Sequence, residues 1–168
     1  MRARLVLDAT PLIHLCKAGL GRIIEDVDGE KFTVPAVFDE VVTKGRELGY
    51  EDSSVAESLI ERRVLSVKAA SKAIARGRGL HRGEVEVISL AKELGGIAVL
   101  DDAVARSVAR LHEVRVEGTY GMILRSLAEG LISRGDAEEA LEKLVASGWR
   151  CDVELYAKLL KIAREFGK

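Results

Sequence analysis

The sequence predicts an α/β fold in which helices cover both faces of a central parallel sheet. Short apolar runs of strand length alternate along the chain with longer segments in which apolar residues recur at helical spacing. The chain has only two prolines, and 48% of its 168 residues are hydrophobic, which is typical of a globular protein. Strands that alternate with helices favour a parallel sheet, because each helix carries the chain back to the edge where the next strand begins.

The first half of the chain contains three predicted strands, which are residues 3–8, 31–35 and 64–68. Thr10 is expected to cap the helix after the first strand, with Pro11 at its first position. Pro35 is expected to open the helix after the second strand, and a further helix covers residues 54–63. Residues 69–82 form a basic segment without a clear pattern, so its course is left open.

The second half continues the alternation and ends in helices. Its predicted strands are 97–100 and 114–118, and its predicted helices are 83–95, 103–112, 120–131, 136–148 and 152–167. Gly95 and Gly96 are expected to end the helix 83–95, because glycine readily adopts the left-handed conformation found after helices. We expect one domain over residues 1–168. An alternative is that the helical pair at 132–168 is appended to it.

Composition and charge narrow the class of protein. The chain has 26 basic and 27 acidic residues, so it lacks the overall positive charge of a tight, non-specific nucleic-acid binder. No apolar run reaches the roughly 20 residues of a membrane span, and the first residues do not form a signal peptide. We therefore expect no contact with the membrane and a cytoplasmic location. Cys16 and Cys151 are isolated and are expected to be buried thiols.

Aspartates follow two of the predicted strands at the same point. Asp8 ends the first strand in the pattern Val-Leu-Asp, and Asp101 ends the fourth strand in the same pattern. Asp102 comes directly after Asp101. In open parallel sheets, ligands bind beyond the carboxyl ends of the strands where the strand order reverses. Two aspartates at neighbouring strand ends would be suited to share a cation, because buried carboxylates repel one another.

Two glutamates extend this acidic set. Glu40 lies early in the helix after the second strand, which places it near the same edge of the sheet. Glu84 opens the helix before the fourth strand, and its placement is less direct because the segment before it has no clear structure. Carboxylates without histidine or cysteine at ligand spacing favour Mg²⁺ or Mn²⁺ over zinc. Such ions support the hydrolysis of phosphodiesters.

Each acid also has a purely structural interpretation. Asp8 could be a turn or N-cap residue, and Glu40 taken alone is better explained as a surface residue. Glu84 would interact favourably with the dipole of its own helix in any fold. Asp102 is expected to cap the helix that follows it, which would leave Asp101 free to point into the cleft. The functional interpretation therefore depends on the whole set.

The motifs in this order resemble the PIN-domain family, in particular small prokaryotic proteins related to the toxins of toxin–antitoxin pairs. The segments that carry the resemblance are LVLDATPLIHL, VPAVFDEVV, RGEVEVISLAKELGGIAVLDD and VEGTYGMILRSLAEGLI. The resemblance implies a three-layer α/β/α sandwich with a central parallel sheet. It also implies an endoribonuclease site of carboxylates that depends on Mg²⁺ or Mn²⁺, an antitoxin partner and a homodimer.

The resemblance also implies a role for individual residues. The implied catalytic acids are Asp8, Glu40, Glu84 and Asp101. The implied metal ligands are Asp8, Glu84 and Asp101, with Asp102 as an auxiliary ligand. Thr10 and Thr119 match hydroxyl positions that would hydrogen-bond to phosphate or to water in the metal site. From its charge and not from the resemblance, Arg82 in the basic segment is a candidate for contacting the RNA backbone, although taken alone it is better explained as a solvated surface residue.

Together these features predict a cytoplasmic ribonuclease that cleaves single-stranded or loop RNA by metal-assisted attack of water. The alternative is a non-catalytic module of the same fold that binds nucleic acid or a protein partner, and such a module would tolerate the loss of the acids. His14 is expected to be a core histidine, and Trp149 is expected to pack in the core rather than to stack on a base.

Overall fold

The computed structural model describes residues 2–166, so residues 1, 167 and 168 of the predicted domain lie outside the described chain. Within these residues, a five-stranded sheet has the order β3-β2-β1-β4-β5, and all neighbouring strands are parallel. The strands are β1 (Arg4–Leu7), β2 (Glu30–Thr33), β3 (Leu65–Val67), β4 (Ile97–Val99) and β5 (Arg115–Glu117). The strand order therefore reverses between β1 and β4.

Helices connect the strands and cover the sheet. In the first half they are α1 (Ala9–Lys17), α2 (Gly21–Asp26), α3 (Pro35–Phe38), α4 (Gly45–Glu47) and α5 (Glu51–Glu61). In the second half they are α6 (Arg82–Leu94), α7 (Ala103–Leu111), α8 (Thr119–Ala128), α9 (Arg134–Ala146) and α10 (Val153–Glu165). Helix α1 packs against α2, α5 and α8, whereas α6 packs against β1, β4 and α3. The predicted α/β/α sandwich with a central parallel sheet is confirmed.

The long helix α6 forms as its sequence pattern predicts. Val87, Ile88 and Ala91 lie on the face that packs against β1 and β4, and all three are fully buried. Gly95 follows the helix in the left-handed conformation, with φ of 60° and ψ of 30°. Because this conformation strains residues that carry a β-carbon, glycine is the residue that fits there.

The first helix begins two residues earlier than predicted. Asp8 occupies the N-cap position instead of Thr10, and its side chain makes no capping hydrogen bond. Pro11 therefore lies at the third helical position. Proline is tolerated there because the first backbone N–H groups of a helix have no partner within the helix. The carboxylate of Asp8 therefore does not act as the cap of α1.

A π-helical segment (Asp39–Lys44) joins α3 to α4 and was not predicted. Its wider turn buries Val41 and Val42, and it leaves Glu40 exposed. Apolar periodicity alone cannot distinguish this segment from an α-helix, because the same valines face the core in both. Segments of this kind are frequent at functional sites.

The C-terminal helices pack on the helix layer. Helix α9 contacts α8, and α10 contacts α9. The connection between α9 and α10 carries Trp149 back to the end of β4, where its indole nitrogen lies 3.0 Å from the carboxylate of Asp101. This hydrogen bond therefore links the connection between α9 and α10 to the edge of the sheet. None of the helices in residues 2–166 combines the length and the apolar character needed to cross a membrane.

Candidate functional site

The ends of β1 and β4 form the centre of the candidate site. These strands are neighbours where the strand order reverses, and Leu7 pairs with Val99. The N–H of Asp8 donates to the carbonyl of Val99 at 3.1 Å, which fixes the backbone of Asp8 to β4. Asp101 leaves the sheet two residues after β4. The structure therefore brings Asp8 and Asp101 to adjacent strands at the position where open parallel sheets bind ligands.

Asp8 is a buried carboxylate without a cationic partner. It is 7% exposed, and none of the ion pairs among residues 2–166 includes it. Burial raises the pKa of its carboxyl to about 7, although the N–H of Ala9 acts in the opposite direction. The negative charges of Glu84, Glu40 and Asp101 also raise this pKa. All four predicted catalytic acids thus interact electrostatically at this edge of the sheet.

These acids do not form a ready-made metal cage. Among the described residues, no group of three or more His, Cys, Asp or Glu side chains lies close enough to hold an ion as it stands. Glu40 is exposed on the π-helical segment. Binding of an ion would therefore require side chains such as Glu40 and Glu84 to turn toward Asp8.

Glu84 lies at the start of α6, next to Gly83, which approaches Asp8. It is 6% exposed, and its Oε2 accepts a hydrogen bond from the backbone N–H of His81 at 2.9 Å. The adjacent Gly83 is so near Asp8 that an added β-carbon would lie 3.6 Å from Oδ1 of Asp8. Glu84 thus has the predicted structural role at a helix start, and its charge also acts on Asp8.

Asp101 does not cap α7, and its carboxylate is held by three hydrogen bonds. The N–H of Thr119 donates to Oδ1 at 2.8 Å, and the Thr119 hydroxyl donates to Oδ2 at 2.5 Å. The indole N–H of Trp149 donates to the same Oδ2 at 3.0 Å. A carboxylate offers about four acceptor positions. These donors therefore fix the orientation of Asp101 and leave acceptor capacity mainly on Oδ1.

Asp102 has the capping role predicted for it. It is exposed, and its Oδ1 accepts a hydrogen bond at 2.8 Å from the N–H of Ala105 in the first turn of α7. One of its carboxylate oxygens is thus committed to the helix. Asp102 could assist an ion only with its second oxygen or by giving up this cap.

The other predicted site residues have different surroundings. Thr10 is exposed and lines a cavity beside Asp101, whereas Thr119 is fully buried and contacts Asp101. The Arg82 side chain is 73% exposed, and its Nε lies 2.8 Å from a carboxylate oxygen of Glu86. The second oxygen of Glu86 accepts a hydrogen bond from the N–H of Ala36 at 2.9 Å, so Glu86 links α6 to α3. Thr119 and Arg82 thus make contacts within the protein.

A cavity of about 890 Å³ lies beside Asp101, and its lining includes Trp149 and His14, to which the sequence assigned no role in the site. Trp149 is buried, as predicted, but its hydrogen bond to Asp101 was not predicted because 48 residues separate the two. His14 is partly buried, and its Nδ1 lies 3.1 Å from the Ser147 hydroxyl. Burial lowers the pKa of His14. No local motif marks these contacts.

Comparisons with known proteins agree with this architecture. A family model described as DUF3368, PIN domain, matches residues 4–165. Among solved structures, the chain is similar to a PilT N-terminus domain protein from the hyperthermophilic archaeon Sulfolobus solfataricus, with a TM-score of 0.55 and 18% identity. That similarity covers 74% of this chain and 93% of the archaeal one, and at this identity it concerns the fold alone. No curated protein matches the sequence significantly.

Proposed function

The chain belongs to the PIN-domain family, and we propose that it is a metal-dependent endoribonuclease that hydrolyses phosphodiesters in single-stranded or loop RNA. The family generally includes nucleases, and its members typically depend on divalent metal ions. One observation carries the proposal. Asp8 is buried at the reversal point of the sheet, where three further carboxylate charges act on it and no ion pair with any of residues 2–166 balances it.

The acidic edge fits a hard divalent cation. Carboxylates that repel one another in a buried setting are stabilised when a cation lies among them, and all-oxygen donors suit Mg²⁺ or Mn²⁺. We assign Asp8, Glu84 and Asp101 as the residues that would hold the ion, with Asp102 as an auxiliary. When bound, the ion would supply an increased acidity of water and a stabilising charge near the phosphate.

The remaining residues would orient the reactants. Glu40, exposed near Asp8, would orient the attacking water and accept its proton. Thr10 would hydrogen-bond to the phosphate, because it is exposed on the cavity beside Asp101. Thr119 is fully buried, so we assign it the task of orienting Asp101 instead of contacting RNA. Such supporting contacts commonly affect metal affinity and activity.

The proposal predicts cleavage of RNA that depends on metal. Purified protein is incubated with a labelled single-stranded RNA of mixed sequence in Mg²⁺, in Mn²⁺ and in chelator. We expect fragments with either ion and none in chelator. Intact RNA across several sequences, or equal cleavage in chelator, would contradict the proposal. RNA that is bound but never cleaved would favour the non-catalytic binding module.

Trp149 provides a test of ion binding that does not depend on activity. It is the chain's one tryptophan, and it touches the proposed ligand Asp101. Because Mn²⁺ is paramagnetic, we expect Mn²⁺ to quench the fluorescence of Trp149 with a saturating curve, and excess Mg²⁺ to reverse the quenching.

The Asp8→Asn variant should weaken this effect, since it removes a proposed ligand without touching Trp149. The exposed acid Asp39 offers a control, and Asp39→Asn should leave the titration unchanged. Non-saturating quenching that is equal in all three proteins would show that Mn²⁺ does not bind at this site.

The resemblance also predicts a toxin role, an antitoxin partner and a homodimer, and the composition predicts a cytoplasmic location. These stay predictions, as does the single domain over residues 1–168. The reaction can be tested without them, because every residue assigned above belongs to one chain.

A further inference from the structure

We propose that the cavity beside Asp101 is a subsite for one unstacked nucleotide of a single-stranded RNA. The inference rests on the proposed function, because it places the nucleotide next to an acid assigned to the reaction. It adds a binding determinant that comes from outside the acidic edge. That determinant consists of Arg106 on α7 and of the connection between α9 and α10, which includes Arg150.

The size and construction of the cavity suit a nucleotide. Its volume of about 890 Å³ lies within the range of roughly 300–1,000 Å³ that is common for small-molecule sites. Its walls come from α1, the start of α7, the end of β5, the first turns of α8, the α9–α10 connection and α10. A duplex keeps its bases stacked and paired, so only a single-stranded segment could place a base in such a cavity.

Part of the lining is apolar and aromatic, which suits the flat face of a base. Trp149 and Tyr120 are both buried, and they line the cavity together with Leu124, Leu155 and Leu159. The hydrogen bond from the Trp149 indole to Asp101 holds that ring in one orientation. A base placed against these side chains would gain apolar contacts that do not depend on its identity.

Two cations in the lining suit a phosphate. Neither Arg106 nor Arg150 forms an ion pair with any described residue of the chain. Arg150 is exposed, and Arg106 is partly buried with Nη1 donating to the Leu100 carbonyl at 3.0 Å. A guanidinium carries five N–H donors, so Arg106 keeps donors for a second partner.

The acids in the lining explain why these cations matter. Asp101 and Asp102 would repel a phosphate that approached them alone. Glu117, which also lines the cavity, is already paired with Arg125, at 3.0 Å between Oε2 and Nη2. Arg106 and Arg150 therefore supply the positive charge that would let a nucleotide enter beside the acidic edge.

Binding of a short RNA in chelator tests the subsite without cleavage. The probe is a fluorescein-labelled single-stranded RNA of ten nucleotides, measured by anisotropy at several salt concentrations, beside a duplex of the same sequence. We expect Arg150→Ala to weaken single-strand binding about fivefold to tenfold. For this variant, the slope of log K against log salt should be less steep by about 0.7, which is the value for one phosphate contact on a single strand. Arg22→Ala, which changes an arginine on α2 that does not line the cavity, is the matched control and should bind like the wild type.

A second variant tests the cavity itself. Leu155 is partly exposed on α10, so Leu155→Trp should fold and should obstruct the space where the base would lie. We expect it to weaken single-strand binding at least tenfold while Arg150 stays in place. Wild-type affinity in both Arg150→Ala and Leu155→Trp would overturn the subsite, as would tighter binding of the duplex than of the single strand.

The same variants separate the two proposals. If wild type and both variants bind and cleave RNA equally in Mn²⁺, the subsite is wrong and the nuclease proposal stands. If binding depends on Arg150 and Leu155 but the wild type never cleaves, the subsite stands and the nuclease proposal fails. If the wild type neither binds nor cleaves RNA, both are wrong.

Discussion

In chelator at pH 8, the Asp8→Asn variant is expected to be more stable than the wild type by about 2 kcal/mol. Burial and neighbouring carboxylates raise the pKa of Asp8 from 3.8 to about 7. Since one pKa unit corresponds to about 1.4 kcal/mol, the ionised carboxylate costs the folded state about 4 kcal/mol. Asparagine avoids this cost, but its buried amide lacks some hydrogen-bond partners, which costs the folded variant about 1–3 kcal/mol. Most substitutions destabilise a protein, so a gain here would identify a site adapted to something other than stability.

The pH dependence of this effect has a definite sign. Because the folded-state pKa is raised, the contribution of Asp8 to the stability of the wild type is most favourable below pH 4 and is lost as the pH rises through about 7. The variant lacks this titration, so its advantage should be absent at pH 4 and largest at pH 8. Urea unfolding of the two proteins in chelator at pH 4 and at pH 8 measures the difference between their free energies of unfolding at each pH.

A matched variant controls for the removal of a negative charge. Asp102 is exposed and caps α7, and asparagine caps helices about as well as aspartate. Asp102→Asn should therefore show no comparable gain at pH 8. If Asp8→Asn were less stable than the wild type at pH 8 in chelator, the view of Asp8 as an uncompensated buried charge would be wrong.

Thr119→Val is expected to lower both the Mn²⁺ affinity and the rate of RNA cleavage by about 10-fold to 100-fold. Valine has nearly the shape of threonine, but it lacks the hydroxyl that donates to Oδ2 of Asp101 at 2.5 Å. Loss of a contact that orients a metal ligand commonly has effects of this size. The loss of a buried hydrogen bond should also lower the free energy of unfolding by about 1–3 kcal/mol.

Two controls separate orientation of Asp101 from general stability. Thr119→Ser keeps the hydroxyl and should restore most of the Mn²⁺ affinity. Thr33 is also fully buried, and its hydroxyl donates to the Leu7 carbonyl at 2.8 Å without contacting an acid. Thr33→Val should therefore lower stability to a similar extent and leave Mn²⁺ affinity unchanged. Equal losses of affinity in Thr33→Val and Thr119→Val would contradict an orienting role for Thr119.

The sequence predicts the sheet and the position of its acids because both depend on local patterns. Apolar runs and helical periodicity locate the strands and helices. The repeated Val-Leu-Asp pattern marks the ends of β1 and β4, which pair through Leu7 and Val99. The alternation of strands and helices predicts a parallel sheet, and a parallel sheet places such ends at one edge.

Other features depend on contacts between distant parts of the chain. The bond from Trp149 to Asp101 joins residues 48 positions apart, and no motif announces it. The π-helical segment that contains Glu40 is short, and over its length the apolar spacing is the same as in an α-helix, so the sequence does not distinguish the two. In each case tertiary packing selects among options that the local sequence leaves open.

We propose that Asp8 and Asp101 act together in metal-dependent cleavage of RNA. The direct test compares the rate at which the wild type, Asp8→Asn, Asp101→Asn and the exposed control Asp39→Asn cleave one labelled RNA in Mn²⁺. We expect wild-type cleavage in Asp39→Asn and a loss of more than about 100-fold in each of the other two variants. Cleavage at the wild-type rate by Asp8→Asn and Asp101→Asn would contradict the claim.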